Sequence, residues 1–366
     1  MLFSAFIAAP PTRPLGPYAT TSRVYTVPAL DATGQRLHVF WPSNASTGEK
    51  FPLVPYLHGY LGGGLDILAY YDLFHDISSY GFVVAAPASC STTCDDRIGL
   101  PYASCGGLPA GPDPYAGSGW THRWSSYYAE GLKTIEFVRN ASAAGDPVLR
   151  LVDEGRVGLA GHSMGGQAAA IAACAACARQ WGIRAVALHH PAETATPVGG
   201  GVSNLGANVS VPLAAFTTSG DGCCESSTTE LYDNATVMPR VLRDMAGSSH
   251  LEPLKVAGAY NPWLATHTAA WFKLYVSEDA GPLWHSLLYD SSDPRSLCRF
   301  APQRRCETAE ERSETRARSE RQERGLMTGR GWSPSRSTIP FATSIYLYSL
   351  APRWPPRRSC SCGAFL

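Results

Sequence analysis

The side chains of this sequence best suited to act together on a substrate are a serine, an aspartate and a histidine spread over almost ninety residues. Ser163 stands in Gly161-His162-Ser163-Met164-Gly165, between the apolar run 157–160 and an Ala-rich stretch. This is G-x-S-x-G at a point where a strand should turn sharply into a helix. In a Gly-rich chain the five letters alone are weak evidence, and the strand-turn-helix setting gives them weight. Such a turn forces the serine into strained backbone that exposes its hydroxyl, and glycines are required where a Cβ would collide with neighbouring backbone. The helix that starts behind the serine aims its free N–H groups and positive dipole end at the reacting centre. The bland alternative is a glycine-rich turn carrying an exposed serine.

A serine hydroxyl is a poor nucleophile at neutral pH, so it needs a base, and the base needs an orienting acid. The run 213–217 leads into Ser219-Gly220-Asp221, and a later loop carries Gly247-Ser248-Ser249-His250. The order Ser163, Asp221, His250 suits a sheet in which acid and base follow the nucleophile. Glu225 and Asp233 are rival acids placed past the turn. Of the other histidines, His162 adjoins the nucleophile and should point away, and His267 falls inside a predicted helix. His189 and His190 end a strand and are expected to line the cleft. Donors for an oxyanion are expected from the backbone N–H groups of Tyr60, in His58-Gly59-Tyr60-Leu61-Gly62-Gly63-Gly64, and of Met164. No Lys-Ser/Thr follows those glycines, so they do not make a phosphate loop. Cys174-x-x-Cys177 and Cys360-x-Cys362 lack the two further ligands of a zinc site, and no metal or organic cofactor is implied.

Positioning these groups requires strands and helices in alternation. β-branched and aromatic runs predict strands at 23–27, 37–41, 53–57, 82–86, 157–160, 185–189 and 213–217. Helix-length stretches occupy 65–80, 124–140, 164–179, 229–245 and 262–276. The first two strands have no helix between them and the later ones do. The expected fold is therefore α/β, a mostly parallel central sheet with helices on both faces and an antiparallel N-terminal edge. The long connection 88–119 is rich in Gly, Pro, Ser and Cys, and Tyr102, Tyr115 and Trp120 between Pro87 and Trp124 should lie above Ser163 as substrate-cleft aromatics.

Taken together, these residues resemble the α/β-hydrolase family. Gly161-His-Ser-Met-Gly-Gly, the spacing from Pro212 to Asp221, and Gly247-Ser-Ser-His250 are similar to cutinase-like polyester hydrolases. The stretch from His58-Gly-Tyr to Ser79-Tyr-Gly-Phe-Val-Val-Ala-Ala-Pro87 is similar both to these and to chlorophyllases, and platelet-activating-factor acetylhydrolases have a comparable elbow. The resemblance spans about residues 16–298 and implies a serine carboxylic-ester hydrolase working through an acyl-enzyme on a small or polymeric ester. Gln167 stands where polyester hydrolases usually carry glycine, and Met164 where chlorophyllases usually carry arginine, so the substrate stays open. A non-catalytic binding protein on the same fold is the reading of a different class.

The whole chain narrows the field further. Its 366 residues, 45% hydrophobic and 16% charged, can bury a full core, and 30 basic and 30 acidic side chains cancel, which argues against nucleic acid as a partner. No apolar run is long enough to span a bilayer. Four of the six Asn (Asn44, Asn140, Asn208, Asn234) begin Asn-x-Ser/Thr, and eleven Cys, three of them (Cys90, Cys94, Cys105) in one polar loop, suggest glycosylation, disulfides and the secretory pathway or the cell exterior. Cys174 and Cys177 read instead as buried small hydrophobes on a helix face. Residues 1–15 read as an N-terminal extension with a weak or truncated signal, 16–298 as the catalytic domain, and 299–366 as an unpacked tail. That last segment holds 13 of the 26 Arg and no Lys. Oligomeric state is not legible.

Overall fold

The computed structural model describes residues 15–27, 35–59, 67–88, 127–192, 205–219, 221–222, 224–244, 248–256, 258–290, 292 and 306–307. The strands are β1 (Thr20–Val27), β2 (Gln35–Pro42), β3 (Phe51–Leu57), β4 (Val83–Pro87), β5 (Val152–His162), β6 (Ile183–His189), β7 (Leu213–Thr217), β8 (Arg240–Asp244) and β9 (Cys306–Glu307). The helices are α1 (Tyr71–Ser79), α2 (Tyr127–Ala143), α3 (Met164–Ala172), α4 (Ala175–Trp181), α5 (Leu205–Asn208), α6 (Glu225–Asn234), α7 (Pro262–Tyr275) and α8 (Pro282–Tyr289). The strands form one sheet in the order β1-β2-β4-β3-β5-β6-β7-β8-β9. From β4 through β3 to β8 neighbours run parallel, while β1, β2 and β9 pair antiparallel at the two edges. The chain is thus α/β with a mostly parallel sheet.

The central strands explain why both faces need helices. Successive side chains of a strand point to opposite sides, and here both sets are apolar. Leu53, Leu57, Val83, Ala85, Val186 and Leu188 join one buried cluster with residues of α2 and α3. Their alternates Val54, Tyr56, Val84, Ala86, Ala185 and Ala187 join a second cluster with residues of α1, α7 and α8. Two apolar layers therefore clamp the sheet, and the carboxyl ends of β5, β6 and β7 share one edge. That edge carries the loops that hold the site.

Three sequence expectations change. The helix expected over 229–245 is α6 followed by β8, because Pro239 has no N–H to continue a helix and its ring excludes the preceding turn. The short Val241-Leu242 core of β8, flanked by Arg240 and Arg243, is too brief for its period to be read. The helix expected over 164–179 is split into α3 and α4, and at the break Cys174 and Cys177 are joined by a disulfide. Both are buried as expected, but as a bridge rather than as separate small hydrophobes. Helix α8 was not anticipated either, the whole helix being only eight residues long.

Of the segment expected as a tail, Cys306–Glu307 pair with β8 past the compositional break at 299. The remainder of 299–366, and 1–14 of the expected extension, lie outside the described residues. So do Cys90, Cys94, Cys105, Tyr102, Tyr115 and Trp120. Among the described residues no helix is long and apolar enough to cross a membrane.

Candidate active site

Ser163 follows β5 and caps α3 with φ 54° and ψ −120°, a conformation costly for any residue with a Cβ. Tertiary packing holds it there. Ser163 N–H donates to the His189 carbonyl at 2.9 Å, and its own carbonyl accepts Ala192 N–H at 2.8 Å. The flanking glycines are sterically obligatory: a Cβ on Gly161 would come within 2.2 Å of the Gly165 carbonyl oxygen, and one on Gly165 within 2.0 Å of the Leu57 carbonyl oxygen. The backbone of α3 thereby sits directly against the end of β3, and Met164, the first residue of α3, is buried beside the serine.

Asp221 follows β7, and its Oδ2 lies 2.9 Å from Nδ1 of His250. Its Oδ1 accepts Cys224 N–H at 3.2 Å. Burial pushes the Asp221 carboxyl up, but hydrogen bonds from His190 and His250 outweigh it and hold the group well below the usual carboxylate range. Asp221, rather than Glu225 or Asp233, is the acid that meets His250; Glu225 instead opens α6 and donates its N–H to the Asp221 carbonyl.

His162 does not point away from the site. Its Nε2 lies 2.8 Å from the carbonyl oxygen of His250, so Nε2 carries the proton, and Nδ1 then accepts the Tyr70 hydroxyl at 2.6 Å. The Tyr70 oxygen in turn accepts Gly59 N–H at 2.9 Å. This chain of bonds ties the loop after β3, the serine turn and the histidine loop into one unit, and the rings of His162 and His250 are 4.8 Å apart. It also occupies the Gly59 amide, which removes that group as an oxyanion donor. Burial pushes His162 well below its ordinary value, as a neutral ring requires.

The two histidines expected at the cleft are instead buried. His189 sits in the core, its Nδ1 3.0 Å from the Tyr56 hydroxyl and its Nε2 2.9 Å from Thr268 Oγ1. Since Thr268 gives its own proton to the Leu264 carbonyl, Nε2 is the donor to Thr268, and burial drives His189 down to about 3. His190 lies behind Asp221, at 3.1 Å from Oδ2. Its other nitrogen meets Glu252, a buried acid that no sequence signal singles out. Glu252 stands two residues past His250 and looks in sequence like any surface acid. Tyr60, the expected partner of Met164, falls outside the described residues, as does Trp120.

Among the described residues, His190, Asp221 and His250 offer metal-ligating atoms within 4.8 Å of one another. Both imidazole Nδ1 atoms stand at direct hydrogen-bond distance from one carboxylate oxygen, which is the arrangement of a proton-sharing cluster. Chemically the site offers a strained serine at a helix N-terminus and an oriented imidazole, the parts needed for covalent acyl transfer. No family model matches the chain, and no characterised protein matches it in sequence.

Proposed function

We propose that the chain is a serine carboxylic-ester hydrolase with the catalytic machinery of the α/β-hydrolases. The observation that carries this reading is the strained Ser163 at the β5–α3 turn, on the same sheet edge as the bonded pair Asp221 and His250. The strand order supports it, with antiparallel β1 and β2, the exchange of β3 and β4, and a nucleophile after the fifth strand. Ser163 attacks the ester carbonyl. His250, its Nδ1 held by Asp221, takes the serine proton at Nε2 and then passes it to the leaving alkoxide. Met164 N–H, at the head of α3, and Tyr60 N–H receive the developing oxyanion. Water activated by His250 completes the cycle, and no cofactor is required.

The substrate class we infer is soluble esters of short to medium acyl chain with bulky groups tolerated, in the manner of the polyester hydrolases and chlorophyllases that the sequence resembles. The aromatics Tyr102, Tyr115 and Trp120 would supply apolar contact area. Passage through the secretory pathway accords with the exposure of Asn44, Asn140 and Asn208, three of the four glycosylation triplets. A fluorophosphonate probe should label Ser163 stoichiometrically and abolish p-nitrophenyl ester turnover, with no labelling of Ser163→Ala. A folded protein that neither reacts with the probe nor hydrolyses any ester of a chain-length series would sink the reading.

A further inference from the structure

A second layer of charge lies behind Asp221, and ester hydrolysis as described makes no use of it. His190 follows β6 in a left-handed conformation, φ 45°, with its N–H fixed to the Phe216 carbonyl at 2.8 Å. A strained, fully buried residue is held only where surrounding bonds over-determine it. Here the ring is clamped between two carboxylates, with Nδ1 3.1 Å from Asp221 Oδ2 and Nε2 3.0 Å from Glu252 Oε1.

The protons can be assigned from the donor inventory. Glu252 also faces Arg243, at 3.0 Å from Oε1 and 3.4 Å from Oε2, the Asn261 amide nitrogen at 2.8 Å, and the Ser248 hydroxyl. Arg243 and the Asn261 amide nitrogen can only donate, so the group receives protons on both oxygens and is ionised. Asp221 likewise accepts Cys224 N–H on one oxygen and His250 on the other. With both carboxylates ionised, each nitrogen of His190 must carry a proton, because a bare lone pair facing an anionic oxygen at that distance is repelled. Burial alone would push His190 down, yet its bonds to Asp221 and Glu252 raise it above the ordinary value.

We propose that His190 is a standing imidazolium that bridges Asp221 and Glu252 and serves as a positioning residue, locking the Asp221 carboxylate and keeping His250 available as an unprotonated base. The second half rests on the esterase reading. The charged groups facing His190 are Asp221, Glu252 and, through Glu252, Arg243; the rings of His250 and His162 lie 5.5 and 6.2 Å away, and His189 precedes it. His162 and His189 are neutral by burial. Among the described residues, two cations and two anions therefore balance while His250 is neutral, and a proton on His250 leaves this cluster with excess positive charge.

Long-range proton–nitrogen correlation spectra of the ¹⁵N-labelled wild-type protein, taken between pH 5 and 9, read the first half directly. Both His190 nitrogens should carry protons and hold their shifts across pH 5–8, and Glu252→Gln should make His190 titrate within that range. A His190 nitrogen without a proton at pH 7 overturns the proposal. For the second half, the acid limb of kcat/KM in His190→Gln should move up by roughly one to two pH units relative to wild type, the scale of removing a unit charge ~5–6 Å away in a partly screened site. An unmoved limb in a folded variant overturns the tuning role. Absence of any ester turnover would count against the hydrolase reading while leaving the spectroscopic result intact, and the wild-type spectra decide the charge state even where His190→Gln does not fold.

Discussion

Asp221 receives the Nδ1 atoms of His190 and His250 on one oxygen, so Asp221→Asn presents an amide to two donors and can hold neither ring as before. Loss of the imidazole's orientation and of its ionic partner should lower kcat for p-nitrophenyl esters by about 10³–10⁴-fold. Glu225→Gln and Asp233→Asn should stay within a few-fold of wild type, and steady-state kinetics on the three variants test the choice of acid. Tyr70 makes a second residue-level test. Its hydroxyl serves Gly59 N–H and His162 at once, so Tyr70→Phe strands two buried polar groups. Urea denaturation should show a loss of about 1–3 kcal/mol for each group left unsatisfied. Esterase activity should fall too, because His162 then no longer fixes the loop that carries His250.

The contact between α3 and the end of β3 is the element-level feature on which the serine turn depends. Gly165 is the point of closest approach, its missing side chain filled by the carbonyl of Leu57. Gly165→Ala must push α3 off β3, carrying the Met164 amide and the Ser163 backbone with it. Thermal unfolding should report a loss of about 1–3 kcal/mol or more, with activity lost in whatever fraction folds. Gly155→Ala, in β5 but with only the Asp153 carboxylate at 3.5 Å, should be close to neutral. A tolerated Gly165→Ala would show that α3 is not held as tightly as its geometry requires.

Across the whole molecule, buried histidines set the response to acid. Burial holds His38 and His58 at about 4 and His189 at about 3, and His162 lies well below its ordinary value. The unfolded chain binds protons at these four positions below about pH 6.5 whereas the folded protein refuses them, so each lowers stability as pH falls from about 6.5 toward 4. The depressed carboxylates Asp221 and Glu252 act in the same direction at lower pH, their contribution being complete above about pH 4 and lost below it. His190, raised when folded, acts oppositely: its contribution is fully present below about 6.5 and is lost as pH rises through its folded value. Calorimetry should find Tm falling steeply below pH 6.5 with net uptake of about three to four protons on unfolding. A Tm unchanged between pH 7 and pH 5 would contradict this balance.

The sequence by itself determined the α/β alternation, the turn that carries Ser163, and the candidates Asp221 and His250. Each is a local signal: apolar runs of strand length, glycines where a Cβ cannot fit, and polar residues just past strand ends. β7 matches its expected bounds because its first four residues are all apolar and the strand ends at a turn. β8 was hidden since its strand signal is two residues wide between arginines, and only pairing with β7 makes it a strand. Tertiary structure alone decided what lies behind Asp221 and His250. Arg243 comes from that hidden strand, Glu252 from a turn, His190 from the end of β6 and Tyr70 from the turn before α1, and no spacing in sequence relates them. Burial joins Arg243, Glu252 and His190 with Asp221 in one hydrogen-bonded network, since each is stable in the interior only when the others are brought against it.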